Sequence, residues 1–188
     1  MTSMFNPKYT ISTHLLTNIT RINGLVRDLN DRRFPKIILA EFETTAREVS
    51  AYASTSIEGN PLPLTEVKRV LKSQPINIRN SEKEVINYNK ALMSLHNLLI
   101  SSQLEITEKL IMTIHEQVMM GLLPKHETGK LRKKSVVVND PRTGKVVYLP
   151  PDIENVGSLV SELITFIKIN RQVIDPLILA GIFHKQMV

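Results

Sequence analysis

In the stretch ASTSIEGNPLP, residues 53–63, a helical run breaks at a carboxylate, Glu58, followed by Gly59 and Asn60. A carboxylate at a helix C-terminus faces the negative end of the macrodipole, where a lysine is favoured. Gly59 or Asn60 supplies a left-handed stop, so the ending itself is ordinary. The sign of the charge is not. On spacing alone, a solvated surface Glu is the simpler account. A second concentration of chemistry lies at 125–145, where Lys125, Lys130, Arg132, Lys133, Lys134, Arg142 and Lys145 face only Glu127 and Asp140. Seven cations against two carboxylates leave +5 of the chain's formal net charge of +6 in one short segment. Such a patch suits nucleic acid, a nucleotide or an acidic protein surface, or else it keeps a solvated hairpin soluble. It has no aromatic platform, zinc-finger spacing or recognition helix, so nucleic acid is the weaker version.

Other tempting motifs fail. HEQVM at 115–119 opens like a zinc-protease helix but carries Met119 where the second histidine is required. GLLPKHETGKL has its glycines too far apart for a phosphate loop, and Leu131 stands where Ser or Thr should meet magnesium. His115 lies next to the Ile111–Ile114–Val118 face and reads as a core or boundary histidine. His184, four residues after Ala180, reads the same way. No Ser-His-Asp set can be assigned from order alone, and no metal site is expected.

The elements that must position these residues are mostly helical. A chain of 188 residues with 42% apolar content can fill one good core, or one core and a small appendage. With no Cys, disulfides and thiolate metal sites are excluded, and a cytoplasmic protein is the expectation. The N-terminus has no signal-peptide pattern, and the most apolar window, VGSLVSELITFI, is interrupted by Glu162, so no membrane association is expected. Ile11, Leu15, Ile19, Ile22, Val26 and Leu29 form one apolar stripe at helical steps. Phe34-Pro35 breaks it, and a second helix runs from about Lys36 into the opening stretch. A short third helix starts at Leu64 and carries Val67, Val70 and Leu71. Ser81-Glu82-Lys83-Glu84 fits a capping box, followed by Val85, Tyr88, Leu92, Leu95 and Leu99 on one face. Thr107 caps the next helix. Asp152 opens another, with Val156, Val160, Leu163 and Ile167 inward, and Asp175-Pro176 begins the last.

Between these helices the period changes. KSVVVNDPRTGKVVYLPP has two β-branched runs around a turn rich in Asn, Asp, Pro and Gly, which predicts a lone hairpin over 135–149. Pro150 and Pro151 end it. An isolated hairpin presents unpaired backbone edges. It is either an arm packed on the helices or a docking edge to which an extended peptide adds as a strand.

Taken together, several of these features form a pattern. Ser54-x-x-x-Glu58-Gly59 matches the (S/T)xxxE(G/N) inhibitory-helix motif of Fic-domain proteins. Ile114-His115, Gly129-x-x-Arg132-x-x-x-Val136, Tyr148-x-Pro150-Pro151 and Ala180-x-x-x-His184 look like successive landmarks of the Fic core. Over roughly residues 45–188 the chain resembles a Fic protein, a family of protein adenylyltransferases, with its inhibitory helix N-terminal to the core. The resemblance implies an all-α, Fic-like helical bundle with one β-hairpin flap. It also implies two regions: 1–80, a helical region holding the inhibitory motif, and 81–188, the N-terminal part of the core.

The resemblance assigns roles. The motif glutamate of the family pairs with an arginine that would otherwise hold the ATP γ-phosphate, so Glu58 would be inhibitory and Ser54, one turn earlier, would help anchor it. The hairpin would be the flap that holds a hydroxyl-bearing segment of a target protein, through Val136, Val137, Val138, Val146, Val147 and Tyr148. The family's catalytic signature, HPFx(D/E)GN(G/K)R, is not in the 188 residues and should begin within two residues of Val188. The expectation is an incomplete Fic core with no catalytic residue of its own, inactive as it stands. ATP and Mg would serve the complete enzyme, which would transfer AMP to Ser, Thr or Tyr hydroxyls of proteins, and neither should bind this chain tightly. The alternatives are a non-enzymatic regulatory module acting in trans and a helical scaffold whose basic hairpin binds acidic partners. A homo-oligomer is left open.

Overall fold

The computed structural model describes all residues except 1–4, 74, 76, 77, 141 and 188. Among the described residues it contains seven helices and one two-stranded antiparallel sheet. In chain order these are α1 (Thr13–Asn30), α2 (Lys36–Ile57), α3 (Leu64–Ser73), α4 (Asn80–Ile100), α5 (Glu108–Val118), β1 (Val138–Asn139), β2 (Val146–Tyr148), α6 (Ile153–Asn170) and α7 (Pro176–Met187). No helix is long and apolar enough to cross a membrane, among the described residues.

The chain divides into two compact units. One is Ile37–Val156; the other joins the residues up to Lys36 to those from Gly157 onward. In the first, α4 packs against both α3 and α5. Its core gathers Ala51 of α2, Leu62, Val67 of α3 and Val85 of α4, with Tyr52, Leu71 and Tyr88 around them. Val67, Val70 and Val85 are completely buried, as their helical spacing requires. In the second unit Leu163, Ile167 and Leu179 form the centre, and Phe5 meets Phe166 edge-on at 5.4 Å between ring centroids.

Local signals act as chemistry dictates at several helix starts. The Thr107 hydroxyl accepts from Leu110 N–H at 3.1 Å, and the Asp175 carboxylate accepts from Leu177 N–H at 2.9 Å, one residue before Pro176 opens α7. The capping box expected at Ser81–Glu84 forms two residues earlier. Arg79 is the residue before α4, and its N–H donates to Glu82 Oε2 at 2.9 Å. Glu82 wins this position because it is also gripped by guanidinium groups, Arg79 at 3.1 Å and Arg69 at 3.5 Å. Glu84 is left for a different partner.

Two apolar stripes are less buried than their periodicity predicts. On α1 only Ile19 is covered, while Leu15, Ile22, Val26 and Leu29 are exposed; Ile11, just before the helix, is exposed as well. Leu99, near the end of α4, is also exposed. A period marks the face a helix can bury; burial needs a partner surface at that face.

Candidate functional site

Helix α2 ends where the sequence places its stop, and it is Gly59 that makes the turn, at φ +91°. Asn60 N–H donates to Thr55 C=O at 2.9 Å and Gly59 N–H to Ser56 C=O at 3.0 Å. This is the Schellman arrangement, which satisfies the last carbonyls of the helix and leaves Glu58 as the last residue before the left-handed one. Glu58 is exposed and makes no salt bridge among the described residues.

This terminus is fixed to α4 at two points that the sequence does not announce. One turn before Glu58, the half-buried Ser54 hydroxyl donates to the Tyr88 hydroxyl at 2.7 Å. Beyond the stop, the Asn60 amide donates both to Ser81 C=O and to Glu84 Oε2, each at 2.8 Å. Asn60 Oδ1 accepts from Leu62 N–H at 3.0 Å. All the side-chain capacity of Asn60 but one lone pair is therefore used to staple the turn to the start of α4. Tyr88 reads in the sequence only as part of an apolar face. Asn60 reads only as an alternative stop. Their polar roles depend on residues some 20 to 34 positions away, to which no local pattern points.

A second cluster positions the hairpin. The expected boundary histidine, His115, is half-buried on α5, and its Nδ1 accepts from Gly129 N–H at 3.0 Å. The proton of a neutral imidazole is then on Nε2. Gly129 has φ +65°, and a Cβ there would stand 3.0 Å from Glu116 Cβ and 3.3 Å from Met112 C=O. A side chain there would crowd these neighbours in a left-handed backbone that favours glycine. Three residues on, the Arg132 guanidinium donates to Lys134 C=O at 3.2 Å and also to Pro151 C=O. It thereby clasps the two chain segments that enter and leave the ribbon. Arg132 is thus a structural cation rather than a free one. His184 departs from expectation: it is exposed, because α7 buries Leu179 and Ile182 and His184 turns away from that side.

The ribbon itself is shorter than predicted on one side. β2 is Val146–Tyr148 as expected, but β1 is Val138–Asn139, so Val136 and Val137 lie outside the ladder. Val138 pairs with Tyr148 and Asn139 with Val146, with an irregularity between Val138 and Asn139. The extra residue is Val147 of β2, two steps of which oppose one step of β1, as in a bulge. At the turn, the Asp140 carboxylate accepts from Arg142 N–H at 2.8 Å, and Asp140 N–H donates to Lys145 C=O at 2.8 Å. Val136, Val137, Val138, Val146, Val147 and Tyr148 are all exposed, with Val147 at 62%. Among the described residues of 37–156, neither strand packs closely on a helix. Among the described residues, no hydrogen bond or ion pair joins Glu58 to it.

No family model matches the sequence. A solved structure does match the fold: the crystal structure of a Fic-domain-containing signaling protein from Bacteroides thetaiotaomicron, with a TM-score of 0.68 at 17% identity. The alignment covers 87% of this chain and 61% of that one. The fold is Fic-like. The helix ending at Glu58 and the exposed ribbon lie in this fold at the positions described above. The carboxylate adds to the negative end of α2, no cation pairs with it, and no group of three or more metal-ligating side chains forms among the described residues.

Proposed function

We propose that these 188 residues carry the autoinhibitory helix and the target-docking ribbon of a Fic-family protein adenylyltransferase. The observation that carries this reading is the construction of the α2 terminus. A Schellman stop, the Ser54–Tyr88 bond and the Asn60 staple hold the end of α2 that bears Glu58, although no cation pairs with Glu58 among the described residues. Fixing an unrewarded carboxylate makes physical sense if it meets a cation presented by another segment. A carboxylate on an arginine occupies the place of a phosphate oxygen, with the same charge-assisted geometry. Glu58 would then exclude the phosphate that the arginine otherwise holds, with Ser54 and Gly59 setting its position.

The ribbon is read as the second functional element. Its exposed valines and Tyr148 offer strand-like contacts to the target segment that bears the accepting hydroxyl. The base, the metal-binding acid and the phosphate-holding turn of the transfer reaction are not among the residues of this chain. The chain's own contribution is restraint and docking. The exposure of Glu58 also favours a second reading, in which the chain is a regulator that presents this carboxylate to a catalytic partner in trans.

The test uses a form of the protein that includes an HPF-type motif, incubated with radiolabelled ATP. Glu58→Gly should raise incorporation of label into protein strongly, while the 188-residue chain should show no calorimetric titration with Mg-ATP in either form. Unchanged labelling in the Glu58→Gly form, or tight nucleotide binding by the unaltered 188-residue chain, would remove Glu58 from this role.

A further inference from the structure

Helix α1 carries apolar residues over more of its circumference than it buries. Ile19 is buried, and the Asn23 amide next to it on the helix surface donates to Asp175 Oδ2 at 3.1 Å, tying that edge to the start of α7. Going round the helix at about 100° per residue, Val26, Leu15, Ile22, Leu29 and Leu25 follow beside Ile19 as one continuous stripe. Each of the five is exposed, from 39% at Leu15 to 58% at Leu25. Side chains open to this degree present together on the order of 400 Å² of apolar surface, as much as the largest patch on a typical monomer, which is often an interaction site. A standard interface takes roughly 800 Å² from each partner, a little more than half of it non-polar. The stripe supplies most of that apolar share.

The spacing and charge along the stripe favour one occupant. Leu15, Ile22 and Leu29 stand seven residues apart, and Asn18 and Leu25 follow the first two at three residues, which is the spacing of a helical seam over two heptads. Two copies of α1 laid antiparallel about a two-fold axis set Ile22 of each against Leu25 of the other, and Leu29 against Asn18. The same alignment brings Arg21 of each copy to Asp28 of the other along one flank of the seam, twice by symmetry. Both side chains are exposed, and neither has an ion-pair partner among the described residues. In a parallel pair Arg21 would face Val26 and gain nothing. A surface that pairs with itself needs each charge matched by its opposite at the symmetry-related place, and this flank meets that requirement. We propose that α1 is a self-association surface, through which two copies of this chain pair antiparallel along Leu15, Ile22, Leu25 and Leu29. The inference does not rest on the roles given to Glu58 and the ribbon.

The experiment is sedimentation velocity of the 188-residue chain between about 10 and 300 µM, a range in which an interface of this modest size dissociates. The weight-average mass should rise with concentration from the 21.3 kDa of one chain toward twice that value. Leu25→Glu, and separately Ile22→Glu, should hold the chain at the mass of a monomer throughout, with unchanged far-ultraviolet circular dichroism. Arg21→Asp should weaken association about tenfold, because two exposed ion pairs become two repulsions. Adding Asp28→Arg to Arg21→Asp restores both pairs in reverse, and should return the dissociation constant to within about threefold of the parent. A parent chain that stays monomeric over the whole range leaves the stripe to a different protein and overturns the proposal. If both glutamate variants lose urea resistance as a core substitution does, the stripe is covered within the chain itself and the proposal falls. Association that survives both glutamate variants runs through another surface and refutes it. So does a doubly substituted chain that pairs no more tightly than Arg21→Asp alone, since the antiparallel alignment is then wrong.

Discussion

Replacing Asn60 by Ala removes the staple between the end of α2 and the start of α4, and the cost can be worked from its contacts. Three hydrogen bonds are lost, to Ser81 C=O, to Glu84 Oε2 and from Leu62 N–H, at 2.8, 2.8 and 3.0 Å. A neutral hydrogen bond is worth about 1 kcal/mol net, and one to a charged group about 1.5–3 kcal/mol. Asn60 is only half-buried, so water replaces part of the loss. A destabilisation of about 2–3 kcal/mol follows. For a chain of this size that lowers Tm by roughly 5–10 °C, at about 2–4 °C per kcal/mol. Asn60→Asp discriminates the mechanism. It preserves the oxygen that receives Leu62 N–H but sets a second carboxylate against Glu84, so it should be less stable than Asn60→Ala at neutral pH. Urea denaturation followed by circular dichroism reads both. An Ala variant within about 0.5 kcal/mol of the parent, or an Asp variant more stable than the Ala one, would show that the turn carrying Glu58 is not held in this way.

Three further outcomes are expected. Arg79, by side-chain and backbone hydrogen bonds, holds the Glu82 carboxyl below the usual carboxylate range, although Glu82 is only 6% exposed and burial works the other way. With its folded value below the unfolded one, the contribution is present above about pH 4.5 and fades as the pH falls through the folded value; Glu82→Gln should flatten that acid limb in urea titrations at successive pH values. Gly129→Ala forces a Cβ into the space of Glu116 and a side chain into a left-handed conformation, and should cost about 1–3 kcal/mol in urea unfolding. By contrast, Val137→Asp or Val138→Asp should change unfolding free energy by less than about 0.5 kcal/mol, because both side chains are exposed, while impairing target modification in a form that carries an HPF-type motif.

What the sequence determined by itself is the set of features that short-range physics controls. Helix starts at Thr107 and Pro176, the break before Lys36 and the stop at Gly59 each depend on residues within one turn of the chain, and each stands where its pattern placed it. The switch to a ribbon is of the same kind, since alternation of period two is a local property, although the first strand begins at Val138 and not near Ser135. Tertiary structure decided which equivalent local choice prevailed. Glu82 rather than Glu84 caps α4 because Arg69 and Arg79 reach Glu82 while Asn60, from the end of another helix, takes Glu84. Tyr88 has the apolar ring that its face of α4 demands, but its hydroxyl acquires a purpose only when Ser54 arrives from α2. Arg132 counts as one cation among seven in the sequence, and only the folded loop shows it bound to carbonyls at the base of the ribbon. The stripe on α1 marks the converse limit, a pattern fully legible along the chain whose burial requires a surface that the pattern does not encode. Hydrogen-bond partners and covering surfaces are brought together by chain closure over long separations, and composition and period carry no record of which residues will meet.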